Sequence, residues 1–126
     1  MTVVVDTSAV LAALWGEPGG ARVDLVLPGA SISAVNLAEL VAKLSDRGGN
    51  AEQIDRVLAT LGLTVHALDE AGARQCGGLR PSTRQLGLSL ADRACVALGL
   101  ALNLPILTAD RAWARLDLAV EIEQIR

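Results

Sequence analysis

Short apolar runs alternate along this chain with segments of helical periodicity, and most runs end at a polar residue or a turn. Thr2–Val5 is β-branched and wholly apolar after Thr2, the composition of a strand buried on both faces of a parallel sheet. Asp6 ends it, and Thr7 or Ser8 can cap a helix over Ala9–Trp15. A loop at Gly16–Gly20 leads to a second short helix, Ala21–Leu27, closed by Pro28-Gly29, and Ala30–Ser33 reads as the second strand. The third helix ends at Arg47-Gly48-Gly49. Val35, Ala38, Leu40 (or Leu37), Val41 and Leu44 mark its buried side, with Asn36, Glu39 and Lys43 as a polar stripe. Asn50 caps a fourth helix, Ala51–Leu61, which Gly62 stops. Leu63–Ala67 is a strand, Asp69 caps a helix running toward Gly77-Gly78, and Arg80–Arg84 is a polar connection.

The stretch Gly87–Asp110 is the densest in signals. Ser89 followed by Asp92 is a capping-box variant, the small and apolar run Ala94–Leu102 continues the helix, and Asn103 and Pro105 stop it. Pro105–Thr108 reads as a short buried strand, Asp110 caps a short helix over Arg111–Leu116, and Val120–Ile125 alternates like an edge strand. Strands separated by helices predict an α/β fold: a mostly parallel central sheet flanked by helices, in one domain over residues 1–126.

Composition narrows the function. Apolar residues make up 52% of the chain, yet there are two Trp and no Phe or Tyr, which argues against stacking platforms for single-stranded bases. In so aromatic-poor a chain an exposed Trp would mark an interface, so Trp15 and Trp113 each read either as core or as interface markers. The net charge of −3 gives no overall basic footprint. Six of the eleven basic residues, however, lie between Arg74 and Arg115 (Arg74, Arg80, Arg84, Arg93, Arg111, Arg115), opposed there only by Asp92 and Asp110. Arg93 and Arg111 directly follow acids, so each reads either as a backbone contact for a nucleic acid or as an internal ion-pair partner. Cys76 and Cys95 have no metal-ligand spacing and read as buried free thiols. With no basic leader before the first strand and no apolar run of spanning length, the expectation is a cytoplasmic protein with no membrane association.

In open α/β sheets ligands bind outside the carboxyl ends of the strands. Asp6 and Asp110 each follow a short apolar strand, and Asp92 and Glu39 lie near the starts of two helices, where side chains lean toward the helix N-terminus. Four acids at such places predict one carboxylate cluster. His66, the only histidine, lies within a strand, so no Ser/His/Asp set is available, and neither Gly48-Gly49 nor Gly77-Gly78 has the flanks of a phosphate-binding loop. Clustered carboxylates need a hard cation, and Mg²⁺ or Mn²⁺ prefers all-oxygen ligands. Metal-dependent phosphodiester hydrolysis follows as the expected chemistry.

The segments Val4–Ser8 (VVDTS), Asn36–Leu40 (NLAEL), Leu88–Cys95 (LSLADRAC) and Leu107–Trp113 (LTADRAW) resemble the PIN-domain ribonucleases, above all the toxin half of VapBC-type toxin–antitoxin pairs, in order along the whole chain. The resemblance implies a PIN-like α/β/α sandwich, Mg²⁺- or Mn²⁺-dependent endonucleolytic cleavage of RNA, a homodimer, and inhibition by a small VapB-like antitoxin. It makes Asp6, Glu39, Asp92 and Asp110 the metal-site acids and Ser8 a helper beside the metal or its water. Many relatives carry a further acid shortly after the last motif's Asp; here Arg111, Ala112 and Trp113 follow, which leaves a second metal in doubt. Two rivals use similar parts. A phosphoacceptor signalling domain would want adjacent acids after the first strand and a late-strand Lys, but Asp6 stands alone and the single Lys, Lys43, is on an early helix. The other is a catalytically inactive interaction module of the same fold.

Overall fold

In the computed structural model, which describes residues 2–126, five strands form one sheet. The elements are β1 (Val4–Val5), α1 (Thr7–Trp15), α2 (Gly20–Asp24), β2 (Ser31–Ser33), α3 (Ala34–Asp46), α4 (Ala51–Leu61), β3 (Thr64–His66), α5 (Glu70–Gly78), α6 (Arg80–Thr83), α7 (Leu90–Leu102), β4 (Ile106–Thr108) and β5 (Ile122–Gln124). Two 3₁₀ segments, Arg84–Leu86 and Arg111–Arg115, follow α6 and β4.

The strand order is β3-β2-β1-β4-β5, and every neighbouring pair is parallel. The chain therefore builds outward from β1 in one direction and returns to build β4 and β5 on its other side. The reversal of order lies between β1 and β4, with Val4 opposite Ile106 and Val5 opposite Leu107.

The pleat of these two strands divides the core. Val3, Val5 and Leu107 face a cluster built with Ala9, Val10, Leu40 and Leu61, on the side of α1 and α4. Val4 and Ile106 face the opposite cluster, with Cys76, Cys95, Val96 and Trp113. Period-two alternation thus buries both faces and produces three layers, helix–sheet–helix. On the second side α7 lies close to the sheet because Gly99 has no side chain: a Cβ there would meet Ile106 Cδ1 at 2.5 Å and Val120 Cγ2 at 3.2 Å.

Several expected elements differ. The cap of α1 is Asp6, not Thr7 or Ser8; its carboxylate accepts the Ala9 N–H at 2.9 Å while its backbone is extended. Thr7 and Ser8 lie inside the helix and send their hydroxyls elsewhere. Helix α2 stops at Asp24, and Val26 and Leu27 close a turn onto the Val23 carbonyl instead. Arg80–Arg84 is not a plain connection. Pro81 lies in the first turn of α6, where a missing N–H has no cost, and the chain continues into a 3₁₀ turn. On α3, Ala38 is exposed and Asn36 is buried, because this helix packs against both α1 and α7 rather than on one apolar stripe. Trp113 is fully buried in the second core cluster, so it is core and no interface marker. His66 Nε2 bonds Ser31 Oγ at 2.9 Å across β2 and β3, a structural role. Both cysteines are buried and free. Among the described residues no helix is long and apolar enough to cross a membrane.

Candidate functional site

The carboxyl ends of β1 and β4 open into a pocket of about 300 Å³ whose walls include Asp6, Glu39, Asp92 and Asp110 together with Ser8. The four acids come from four places. Asp6 directly follows β1, Asp110 follows β4, Asp92 is in the first turn of α7, and Glu39 is in the second turn of α3. The pairing of β1 with β4 brings the first two together, and the packing of α3 against α7 brings in the others.

Asp6 is 4% exposed and held on both oxygens. Oδ1 accepts the Ser8 hydroxyl at 2.7 Å and the Ala9 N–H at 2.9 Å; Oδ2 accepts the Thr108 hydroxyl at 2.7 Å. The same hydroxyls tie down the second strand end. Ser8 Oγ accepts the Ala109 N–H at 3.0 Å, and Thr108 Oγ1 accepts the Asp110 N–H at 3.0 Å. The Ser8 proton is therefore committed to Asp6, and Ser8 serves as a brace between the two strand ends.

Asp92 divides its oxygens. Oδ2 accepts the Ser89 N–H at 2.9 Å and completes the capping box of α7, whose other half is the Asp92 N–H donating to Ser89 Oγ at 3.2 Å. Asp110 is exposed and caps the following 3₁₀ segment through Oδ1, which accepts the Ala112 N–H at 2.9 Å.

Electrostatics bind the group together. Burial, with a smaller push from the Asp92 charge, raises the Asp6 carboxyl to about 6 against the pull of its three hydrogen bonds. Asp92 is also raised, first by burial and then by the charges of Asp110 and Glu39. The Cys95 thiol, fully buried, is raised well above its ordinary value by burial and further by Asp6, Asp92 and Glu39. Three acids thus act on one buried thiol.

The pocket wall carries five carboxylates, Glu17 included, against two cations, Lys43 and Arg126. Arg126 is taken up by Glu17 at 3.2 Å, and among the described residues none of the four acids makes an ion pair. The donor set is all oxygen, which fits Mg²⁺ or Mn²⁺ and does not fit a soft metal. Among the described residues no group of three or more His, Cys, Asp or Glu side chains is gathered closely enough to hold a metal ion by itself. Mg²⁺ keeps several waters and takes one or two carboxylates directly, so it does not require three side chains to converge.

Residues that the sequence did not single out complete the site. Thr108 bridges Asp6 and Asp110, and Asn36 and Thr7 connect helices beneath the acids. A threonine closing an apolar strand just before an acid was the available signal for Thr108. Trp15 is half-buried on the pocket wall, with the Arg47 guanidinium 3.7 Å from its ring centroid. Arg93 is turned inward and donates to the Cys76 carbonyl at 3.3 Å, and of its two readings the internal ion pair is absent among the described residues. Arg80, Arg84, Arg111 and Arg115 are exposed and, among the described residues, unpaired.

Comparison with known proteins bears on the family and the fold. The family model described as PIN domain matches residues 3–118. A search of the curated proteins found no match. Among solved structures the fold is similar to a toxin–antitoxin complex from Klebsiella pneumoniae, with a TM-score of 0.76, 16% identity and 98% of each chain covered. It is also similar to a member of the VapBC family of toxin–antitoxin systems from Mycobacterium tuberculosis, with a TM-score of 0.64, 27% identity and coverage of 99% of this chain and 98% of that one. A third, a sarcin–ricin-loop-cleaving toxin from Mycobacterium tuberculosis, gives a TM-score of 0.71 at 19% identity over 94% of this chain and 98% of that one.

Proposed function

This chain belongs to the PIN domain family, and we propose that it is a Mg²⁺- or Mn²⁺-dependent endoribonuclease, the toxin of a toxin–antitoxin pair. It would act in the cytoplasm as a homodimer held in check by a small VapB-like antitoxin. The observation that carries the reading is the pocket itself: four carboxylates from separate elements, at the reversal point of the sheet, with no ion pair of their own. The likeness to toxins, one of them a sarcin–ricin-loop-cleaving toxin and another solved in complex with its antitoxin, supports RNA as substrate and an antitoxin as partner.

In this reading Asp6, Glu39, Asp92 and Asp110 hold the metal. A bound Mg²⁺ or Mn²⁺ supplies an activated water and stabilises charge on the phosphodiester oxygens. The chain's own residues do the rest. Asp6 is ionised at neutral pH, since it titrates at about 6, and Ser8, Ala9 and Thr108 fix its plane. Asp92, on the pocket wall, gives Oδ2 to the helix cap and leaves Oδ1 out of it. Asp110 does the same across the pocket, with Oδ1 on its own cap.

Purified protein free of any partner should cut RNA in Mg²⁺ or Mn²⁺, leave 5′-phosphate ends and stop in EDTA, and Asp6→Asn should be inert. Cleavage that persists in EDTA overturns the metal mechanism. A folded wild type that leaves every RNA intact and is harmless when expressed alone identifies a non-catalytic interaction module instead.

A further inference from the structure

We propose that Asn36 is a positioning residue whose side chain holds α3, with Glu39, in register with α7, with Asp92. It lies in the first turn of α3 and is 1% exposed, an amide in the core. Its Nδ2 donates to the Ala91 carbonyl at 3.2 Å, in the first turn of α7 beside Asp92. Its backbone carbonyl accepts the Thr7 hydroxyl at 3.1 Å, in the first turn of α1 beside Asp6. Glu39 stands three residues further along α3, on the side of the helix that Asn36 occupies. Position 36 therefore joins α3 to α1 through its backbone and to α7 through its side chain, and only the second bond needs an asparagine.

Stability does not account for an asparagine at this place. Asn36 Oδ1 is buried with no partner. A buried acceptor left without a donor costs the fold at least as much as one Nδ2 bond returns, and leucine removes the cost and the bond together. What leucine cannot supply is the Nδ2 bond to Ala91. That bond sets the approach of α3 to α7 next to Asp92, and with it the spacing of Glu39 and Asp92 across the pocket. Misplacement of a reacting group by about 1 Å can cost on the order of 10²-fold in rate, so a tie whose stabilisation is offset by an unpaired acceptor can still decide activity.

The kinetic part of this proposal rests on the nuclease reading; the metal-binding part does not. The test compares wild type, Asn36→Leu and Thr7→Val. Each is melted in EDTA and in a Mn²⁺ titration, and each is assayed for kcat and KM on a short RNA. Asn36→Leu should melt at or above wild type in EDTA. Its Mn²⁺-induced rise in Tm should fall to less than about half, its half-saturating Mn²⁺ should rise several-fold, and kcat should fall roughly tenfold or more with KM for RNA little changed. Thr7→Val, which loses only the tie from α1 to α3, should move in the same direction by less. Asn36→Leu with wild-type stability, Mn²⁺ response and kcat overturns the proposal. If that variant does not fold, Asn36→Ala, which also lacks the Nδ2 donor, takes its place, and an unaltered Mn²⁺ response and kcat in it overturn the proposal. A wild type that responds to Mn²⁺ but cuts no RNA removes the nuclease reading and leaves the positioning claim to be decided by the Tm shifts. A wild type with neither response overturns both.

Discussion

Asp6 carries an electrostatic cost that should be visible in the metal-free protein. An ordinary aspartate titrates near 3.9, and burial raises this one to about 6 in the folded state. Below about pH 4 it is protonated whether the chain is folded or not, and it contributes nothing. Between about 4 and 6 the unfolded chain has released its proton while the folded one still holds it, so stability falls as pH rises. Above about 6 both are ionised and the full penalty is in place, at most ~3 kcal/mol. Urea denaturation in EDTA should therefore show Asp6→Asn gaining on wild type from pH 4 to pH 6.5 and levelling off above that. A difference that does not change with pH removes the penalty. The placement of Asp6 was legible because an acid directly after a buried β-branched run has few places to go. The roles of Thr108 and Asn36 were not, because their partners lie far away in sequence, Asp6 for the first and Ala91 for the second.

Helix α7 shows one side chain serving both an element and a site. The Ser89–Asp92 capping box was readable from the spacing alone, as were the Asn50 and Gly62 ends of α4. What the box does not reveal is that Asp92 uses only one oxygen for it. The two duties separate by mutation. Ser89→Ala should cost about 1 kcal/mol of stability and leave RNA cleavage near wild type. Asp92→Asn keeps an oxygen for the Ser89 N–H but loses the charge, so in EDTA it should melt no lower than wild type and cut no RNA. Melting curves beside a cleavage assay check both. An Asp92→Asn protein that melts lower and still cuts would leave Asp92 as a cap alone. The short helices were read less well. The reading of α2 ran three residues past its end, and four-residue α6 has too little periodicity to announce itself, since Pro81 looks like a breaker until its neighbours place it in a first turn.

At the scale of the molecule, the two 3₁₀ segments pack against each other, so Arg84 and Arg111, distant in sequence, belong to neighbouring pieces of surface beside Asp110. Both are exposed and, among the described residues, neither is ion-paired. An RNA strand entering the pocket would meet these cations with its phosphates. In an inert Asp6→Asn background, Arg84→Ala with Arg111→Ala should weaken RNA binding and reduce the slope of log affinity against log salt by about one to two. An unchanged slope would mean that the strand runs over another face.

Local chemistry, by itself, determined the strand–helix alternation, most helix ends and the four acids at element boundaries, because caps, turns and buried runs act over three to four residues. Strand order was a different matter. That β4 returns to pair with β1, that Asn36 is buried while Ala38 is exposed, and that Trp113 is core while Trp15 borders the acids were decided by which surfaces meet. Those meetings join residues a hundred positions apart. They are set by burial of both sheet faces at once, a free energy that belongs to the assembled layers and not to any one segment.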